Sequence, residues 1–472
     1  MFPSCEPLME TKYTEIYERI WELSPRYKCA EAYDELNRLT KELIQIYDLQ
    51  GRLTEDPFSS TRERKLSQPN ERLNDIIKGS TCLVTGGLGC VGSHLVNELL
   101  KFDVSSIIVL DRNTSSSYTI DSDPSIRFVY GDIRDAQLVH DTFTKYKPDF
   151  VFHAAAQRDP GYAETHIEET VTTNVLGTLN IIKACEYTGS VKQCIFSSTG
   201  KASRYLTEEV YAATKKLCES VLDLYSRRGR VKYGMVRFTH MLDNSLMNEQ
   251  LKIQSEFENH VGVHSPGKYV TAQNKNEAVS LMLNALLYSE PGQANFLIVR
   301  NLEWPVESLE MALYHIKKTR RNIPVVFIGN PLGYTEKFFR GQMDWSNPCE
   351  LNLLINVYEN KSRKLNEDDD IVISHVCSGS HKIIEKAICK LERVKGEVET
   401  KNVLLAGLKE VVRSFLEQAN KEDTVKILNW GLQQKFLDVE NAKVSDYGAI
   451  IPMMFESLQD SEYYEAVKHL KG

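Results

Sequence analysis

Between Thr81 and Gly92 the chain reads TCLVTGGLGCVG, an apolar run that meets glycines at 86, 89 and 92 and continues into the helical pattern SHLVNELL. A strand, a tight glycine turn and a helix N-terminus together make an anion site. The free amides and the helix dipole face the anion, and the missing Cβ atoms let a pyrophosphate approach the backbone. The next apolar run, SSIIVLD, ends on Asp111, nineteen residues after Gly92, where a ribose-binding carboxylate belongs. The segment therefore predicts a βαβ dinucleotide-binding unit.

Downstream, the apolar runs IIVLD (107–111), RFVYGD (127–132), DFVFHAAA (149–156), QCIFSST (193–199) and KYGMVRF (232–238) alternate with helical periodicity over 135–146, 167–187 and 210–226. Strands separated by helix-length crossovers build a doubly wound parallel sheet. A further helix (276–288), a strand (295–299) and another helix (306–319) read as a smaller α/β substrate domain. At the N-terminus, apolar residues recur at three and four through Tyr13, Ile16, Tyr17 and Ile20, and again through Tyr33, Leu36, Leu39, Leu43 and Tyr47. This gives two amphipathic helices separated at Ser24-Pro25, followed by a polar linker. The fold class is thus a Rossmann-type α/β fold with a smaller α/β substrate domain and helical N- and C-terminal appendages. Its divisions are 1–70 (helical appendage and linker), 80–240 (dinucleotide-binding Rossmann domain), 241–350 (substrate-binding region) and 370–472 (mostly helical segment), with the acidic run Asn366 to Asp370 as the last boundary.

A net charge of −8 without a basic stripe argues against nucleic acid as a partner, and no apolar run is long enough to span a bilayer. Ten cysteines at 5, 29, 82, 90, 185, 194, 218, 349, 377 and 389 show no paired C-x-x-C spacing, and no metal site is expected. Free thiols and the lack of a secretory-type start favour a cytoplasmic protein. Homo-oligomerisation through helices is the expectation from the fold class and the N-terminal hairpin.

The segments TGGLGCVG (85–92), HAAA (153–156), TNVLGT (173–178), SSTGKA (197–202) and YAATK (211–215) resemble the extended short-chain dehydrogenase/reductases. Within these they are most similar to the polysaccharide-biosynthesis nucleotide-sugar 4,6-dehydratase/epimerase family. The resemblance implies that Gly86, Gly89 and Gly92 cradle the pyrophosphate of NAD, that Asp111 holds the adenosine ribose, and that Asp132 and Ile133 lie beside the adenine. It also places Ala154 and Asn174 at the cofactor. Asp111 favours NAD over NADP because a carboxylate repels a 2′-phosphate, whereas Arg112 is suited to recruit one. The alternative for Asp132 is a helix N-cap.

Tyr211 and Lys215 lie one helical turn apart, so phenol and ammonium share a face. A fixed cation favours the phenolate, which lets the tyrosine take a proton from a sugar hydroxyl while hydride leaves for the nicotinamide. Thr199, with Ser198 as competitor, would orient that hydroxyl. In the family an Asp-Lys pair follows the Ser/Thr; the lysine acts at C5 and the aspartic acid protonates the leaving 6-hydroxyl. Here the pair is Gly200-Lys201, so the base is present and the acid is missing. Two readings follow: Glu208 or Glu209 supplies the acid, or elimination is gone and the enzyme epimerises through a C4 ketone.

The substrate segments also depart. Arg237 to Met241 and LDNSLM (242–247) replace an arginine-bearing pattern, and NPLGYTEK keeps Glu336 and Lys337 without the family's arginine. Arg237, His240, Lys268 and Arg340 are the candidates to replace those diphosphate clamps. The leading expectation is NAD-dependent modification of a nucleotide sugar by C4 oxidation followed by dehydration or epimerisation. The alternatives are an NAD(P)H-dependent reductase or dehydrogenase of another small molecule and a non-catalytic nucleotide sensor.

Overall fold

The computed structural model describes residues 6–244, 248–334 and 336–471; Cys5, Ser245 to Met247 of the LDNSLM segment, and Thr335 lie outside them. In chain order, α1 (Glu6–Leu23) and α2 (Ala30–Leu49) form the N-terminal hairpin. The alternating region follows as β1 (Thr81–Thr85), α3 (Cys90–Leu99), β2 (Ser106–Asp111), β3 (Ile126–Tyr130), α4 (Ala136–Tyr146), β4 (Phe150–His153), α5 (Thr178–Thr188), β5 (Gln193–Thr199), α6 (Val210–Arg228) and β6 (Lys232–Phe238). Next come α7 (Lys275–Tyr288), β7 (Asn295–Val299) and α8 (Ser308–Thr319). The last labelled elements are β8 (Lys364–Leu365), β9 (Ile371–His375), α9 (His381–Leu391) and α10 (Glu397–Gln418).

The principal sheet runs β8-β9-β7-β6-β5-β4-β1-β2-β3. Pairing is parallel from β7 through to β3, and β9 adds antiparallel to β7. Strand order reverses between β1 and β4, where Thr85 pairs with His153. Outside the carboxyl ends of two such strands there is a crevice, the usual ligand position in an open α/β sheet. Strands β1, β2, β4 and β5 are nearly continuously buried, as expected for strands covered on both faces.

Contacts divide the chain into two units, and neither follows the linear divisions read from the sequence. One comprises residues 1–64, 240–274 and 302–331, and the other 65–239, 275–301 and 332–472. In the first, the hairpin packs its apolar stripe (Ile20, Leu36, Leu43 and Tyr47) against Leu309, Leu313 and the short parallel strands Val261–Val263 and Val325–Phe327. The hairpin stripe is therefore consumed in this unit's own core, rather than left as an appendage surface. Ser24 does not cap α2: its hydroxyl donates to Ile20 O and accepts from Phe327 N, and α2 starts after Cys29.

The second unit contains the sheet and also the C-terminal helices. The run 366–370 joins two strands of the sheet: the Asn366 side-chain oxygen accepts from the amides of Asp370 and Ile371, tightening a turn into β9. Helix α10 buries Leu404, Leu408, Val411 and Val412, a three-and-four spacing, against α6 and the helix Ile167–Val171. Its first residue, Glu397, accepts from Glu168 N at 2.9 Å, an acidic cap on another helix's N-terminus, and Lys401 pairs with Glu164 at 2.6 Å. The nine described cysteines are all free.

Candidate active site

The glycine turn closes tightly at the end of β1. Gly86 has a φ of +69°, and a Cβ there would lie 2.7 Å from Ala155 N; a Cβ on Gly92 would lie 2.1 Å from Gly86 O. Only glycine fits at either place, and the turn delivers the free N-terminus of α3 to the crevice. Gly89 stands at the N-cap of α3, and its amide donates to Gly86 O. Asp111 is buried at the end of β2, and its two oxygens accept from Leu88 N and Asn113 N, both at 2.9 Å. A carboxylate has lone pairs left for ribose hydroxyls after two such bonds. The cradle, the dipole and the acidic strand end therefore fit a dinucleotide.

Arg112 is exposed and held by Glu169 at 3.1 Å, an ion pair that competes with any phosphate for its guanidinium. Asp132 does not cap a helix. Asp135 does so, accepting from Gln137 N and Leu138 N, while Asp132 pairs with Arg134 at 2.7 Å. Burial raises the Asp132 carboxyl, and the bonds from Arg134 outweigh that to leave it below the ordinary range. Ile133 is buried, with its carbonyl accepting from Asn180. Ala154 extends β4 by donating to Thr85 O at 3.1 Å.

Asn174 lies in a π-helical turn, Thr172–Gly177, and is fully buried. It accepts from Gln157 N at 2.8 Å and donates to Gln157 O and Thr214 Oγ1, so it ties the loop after β4 to the Tyr211 helix. Beside it, His153 bridges Thr85 and Thr178 inside the sheet, and burial pushes its imidazole down to about 3, with Lys215 adding to the shift. It is neutral at physiological pH.

Tyr211 sits in the first turn of α6 with its phenol beside Thr199 at the end of β5. Burial pushes the phenol above its ordinary value; the neighbouring Thr199 hydroxyl and the charge of Arg158 pull it back. Lys215 shares the helix face, but its ammonium donates to Ser197 O at 2.8 Å and lies over the Phe196 ring. Arg158, a residue the sequence reading did not single out, also brings its charge to bear on the phenol. Burial brings Lys215 down to about 8. Ser198 points to the opposite side of its strand and donates to Glu219 at 2.6 Å, which leaves Thr199 as the hydroxyl facing Tyr211.

The Gly200-Lys201 departure has a steric counterpart. A Cβ at Gly200 would meet Leu354 Cδ2 at 2.1 Å, so a buried leucine fills the space a side chain at 200 would take. Lys201 reaches across the loop to Glu209, with Nζ 2.5 Å from Oε2 and 2.9 Å from Gly333 O, and it covers the Tyr334 ring at 4.6 Å. Arg204 contacts the same Glu209 oxygen at 3.0 Å. Burial raises the Tyr334 phenol to about 12, with Asp159, Glu209 and Tyr211 contributing. Tyr334, Tyr211, Glu209 and Lys201 therefore share one neighbourhood. Glu208 is exposed, by contrast.

Two of the candidate clamps, Arg237 and Arg340, have partners within the protein. Arg237 is fully buried between Glu219 (2.7 Å) and Glu359 (2.6 Å) and also donates to Leu354 O. Arg340 stacks on Trp345 and Phe436 near Glu440. Glu336 accepts from Thr207 Oγ1 and the Glu208 and Glu209 amides and pairs with Arg204, so it caps the entry to α6; Lys337 pairs with Asp446. His240 and Lys268 belong to the first unit. A buried Arg between two carboxylates leaves no sequence signal that separates it from an exposed clamp.

A family model described as polysaccharide biosynthesis protein matches residues 82–338. An uncharacterized membrane protein of Methanocaldococcus jannaschii is 32% identical over 47% of this chain and 67% of its own. A UDP-N-acetylglucosamine 4,6-dehydratase (inverting) of Campylobacter jejuni is 31% identical over 33% of this chain and 48% of its own, so the chain spans about half the length of that relative. No described helix here is long and apolar enough to cross a membrane. Among solved structures, Pen from Bacillus thuringiensis superposes with a TM-score of 0.53 at 22% identity, covering 63% of this chain and 89% of that one. That likeness establishes the shared fold.

Proposed function

We propose that this chain, which belongs to the polysaccharide biosynthesis protein family, modifies a nucleotide-linked sugar with NAD, oxidising C4 and then dehydrating or epimerising the ketone before hydride returns to the product. The observation that carries this reading is the placing of Tyr211, in the first turn of α6, beside Thr199 at the carboxyl end of β5, in the same parallel sheet whose strand β1 ends in the glycine turn. Bound NAD supplies the hydride acceptor and donor. Gly86, Gly89 and Gly92 hold its pyrophosphate and Asp111 its ribose. The Arg112–Glu169 pair favours NAD over NADP.

Tyr211 takes the proton of the C4 hydroxyl, and Thr199, beside the phenol, orients that hydroxyl. Arg158 adds a charge that favours the phenolate, and Lys215, one turn along the same helix, anchors the ribose hydroxyls. Lys201, whose ammonium is held below its usual range by burial against the pull of Glu209, acts on the carbon next to the ketone. The dehydratase name of the Campylobacter relative supports the elimination branch.

The test begins with denatured protein, from which the released nucleotide is identified. Native protein is then offered UDP-, GDP- and dTDP-hexoses while reduced-cofactor fluorescence and product mass are followed. A transient fluorescence signal with a 4-keto product or an epimer, both lost in Tyr211→Phe, supports the proposal. Net consumption of external NAD(P)H points to a reductase instead. Binding without turnover on any sugar, unchanged in Tyr211→Phe, leaves a nucleotide sensor.

A further inference from the structure

We propose that Glu209 is the proton donor to the leaving 6-hydroxyl, working as a pair with Lys201, and that this pair replaces the acid that Leu354 excludes from position 200. The inference rests on the sugar-modifying reading above and selects its dehydration branch. Four observations converge on it. The place of a side chain at 200 is taken by Leu354, 2.1 Å from the Cβ that would stand there. Glu209 is 4% exposed, yet its Oε1 has no hydrogen-bond partner among the described residues. Its Oε2 lies 2.5 Å from Lys201 Nζ and 3.0 Å from Arg204 Nη1. Finally, Glu209 precedes Tyr211 by two residues at the start of α6, and both act on the phenol of Tyr334.

A buried carboxylate oxygen left bare is costly unless something else satisfies it. A substrate hydroxyl is such a partner, and one within reach of the residue that acts at C5. The two-sided hold on Oε2 fixes the carboxyl so that Oε1 is the atom presented. Glu336 completes the arrangement from outside by pairing with Arg204 and accepting the Glu209 amide, which holds the start of the helix in place.

The proton inventory closes. Tyr211 takes the O4 proton as the C4–H electron pair leaves as hydride, for which bound NAD would be the oxidant. The neutral amine of Lys201 takes the C5 proton, the C5–H electron pair becomes the C5=C6 bond, and the C6–O bond breaks. The carboxylic acid of Glu209 gives its proton to the departing hydroxide, which leaves as water. Hydride returned to C6 and the Lys201 proton returned to C5 then yield the 4-keto-6-deoxy sugar. The phenol proton and solvent restore Glu209, and the pair rests between turnovers as the ion pair seen here.

The test uses the full chain with NAD and a nucleotide hexose in heavy water, comparing wild type, Glu209→Gln, Glu209→Asp and Lys201→Met, each checked for an unchanged melting temperature and nucleotide binding. In Glu209→Gln, transient cofactor reduction and deuterium entry at C5 of the ketone persist, whereas water loss falls by about 10²–10⁴-fold. Glu209→Asp recovers part of the water loss, and Lys201→Met loses both exchange and water loss. Independently of turnover, the isotopically methylated Lys201 amine, assigned by its absence in Lys201→Met, titrates at a lower pH in Glu209→Gln than in wild type. Wild-type water loss in Glu209→Gln overturns the inference, as does an unmoved Lys201 titration, or a loss of cofactor reduction and exchange together with dehydration. Failure of the parent reading looks different: wild type then reduces no cofactor with any sugar.

Discussion

Replacing Gly200 by alanine probes why this chain lacks the family acid. The added Cβ would stand 2.1 Å from Leu354 Cδ2 and 3.4 Å from its Cγ. Carbon atoms settle at about 3.5–4.0 Å, so the leucine tip must withdraw by roughly 1.5 Å. Its backbone cannot follow easily, because Leu354 O accepts from Arg237 at 3.0 Å and Leu354 N donates to Asn352 at 2.9 Å. Overpacking of this kind costs about 1–3 kcal/mol, and the reduced freedom of the unfolded chain returns about 0.4–1 kcal/mol, because Gly200 does not need a positive φ. The net expectation is a loss of about 1–2 kcal/mol. Leu354→Ala alone should cost about 2–5 kcal/mol, and in the double variant the new methyl occupies the vacated space, so the two costs should fall short of their sum by about 1–2 kcal/mol. Urea unfolding followed through tryptophan fluorescence, with Trp345 and Trp430 in the same unit, measures all four proteins. A Gly200→Ala protein as stable as wild type, with strictly additive costs, would refute the claim that Leu354 closes this position.

Three further outcomes follow from the same structure. His153 is held at about 3 against an ordinary 6.5, so between these values the unfolded chain binds the extra proton; its contribution is complete above pH 6.5 and is lost as pH falls, about 1.4 kcal/mol by pH 5.5. Unfolding free energies from denaturant titrations at pH 7.5 and 5.5 should therefore differ by that much less in His153→Gln, and an equal difference contradicts the assignment. Arg237→Met leaves Glu219 and Glu359 buried without their cation and should lose about 3–5 kcal/mol in thermal or urea unfolding. A normally stable variant with weakened sugar binding would make Arg237 a substrate clamp after all. Arg112→Ala should leave the ratio of NADH to NADPH affinity within about threefold of wild type, because Glu169 already holds the guanidinium and one exposed ion pair is worth at most about 1 kcal/mol. A collapse of NADPH binding alone would show that Arg112 recruits the 2′-phosphate.

The alternating strands were legible because a buried parallel sheet writes itself as short apolar runs: QCIFSST and KYGMVRF correspond to β5 and β6 residue for residue. The glycine turn was legible because only backbone geometry demands glycines at 86 and 92. Strand β9 was not, since IVISH after an acidic run carries no local mark of pairing with β7, where Val299 lies opposite Ile371. The partners of Lys201 were half legible. The loop before Tyr211 suggested a glutamate nearby, whereas the choice of Glu209 over Glu208 depends on which one the helix start turns inward. Arg158 and Tyr334 left no signal, because their importance lies in proximity across loops and no spacing encodes it.

The central claim is that hydride leaves the sugar and comes back to it. A nucleotide hexose carrying deuterium at C4, turned over by the protein with unlabelled NAD, tests this most directly. The label should reappear in the product, at C6 after dehydration or at C4 after epimerisation, with no accumulation of labelled reduced cofactor. Deuterium collecting in free reduced cofactor, one for each sugar consumed, would contradict the account and make this chain a dehydrogenase.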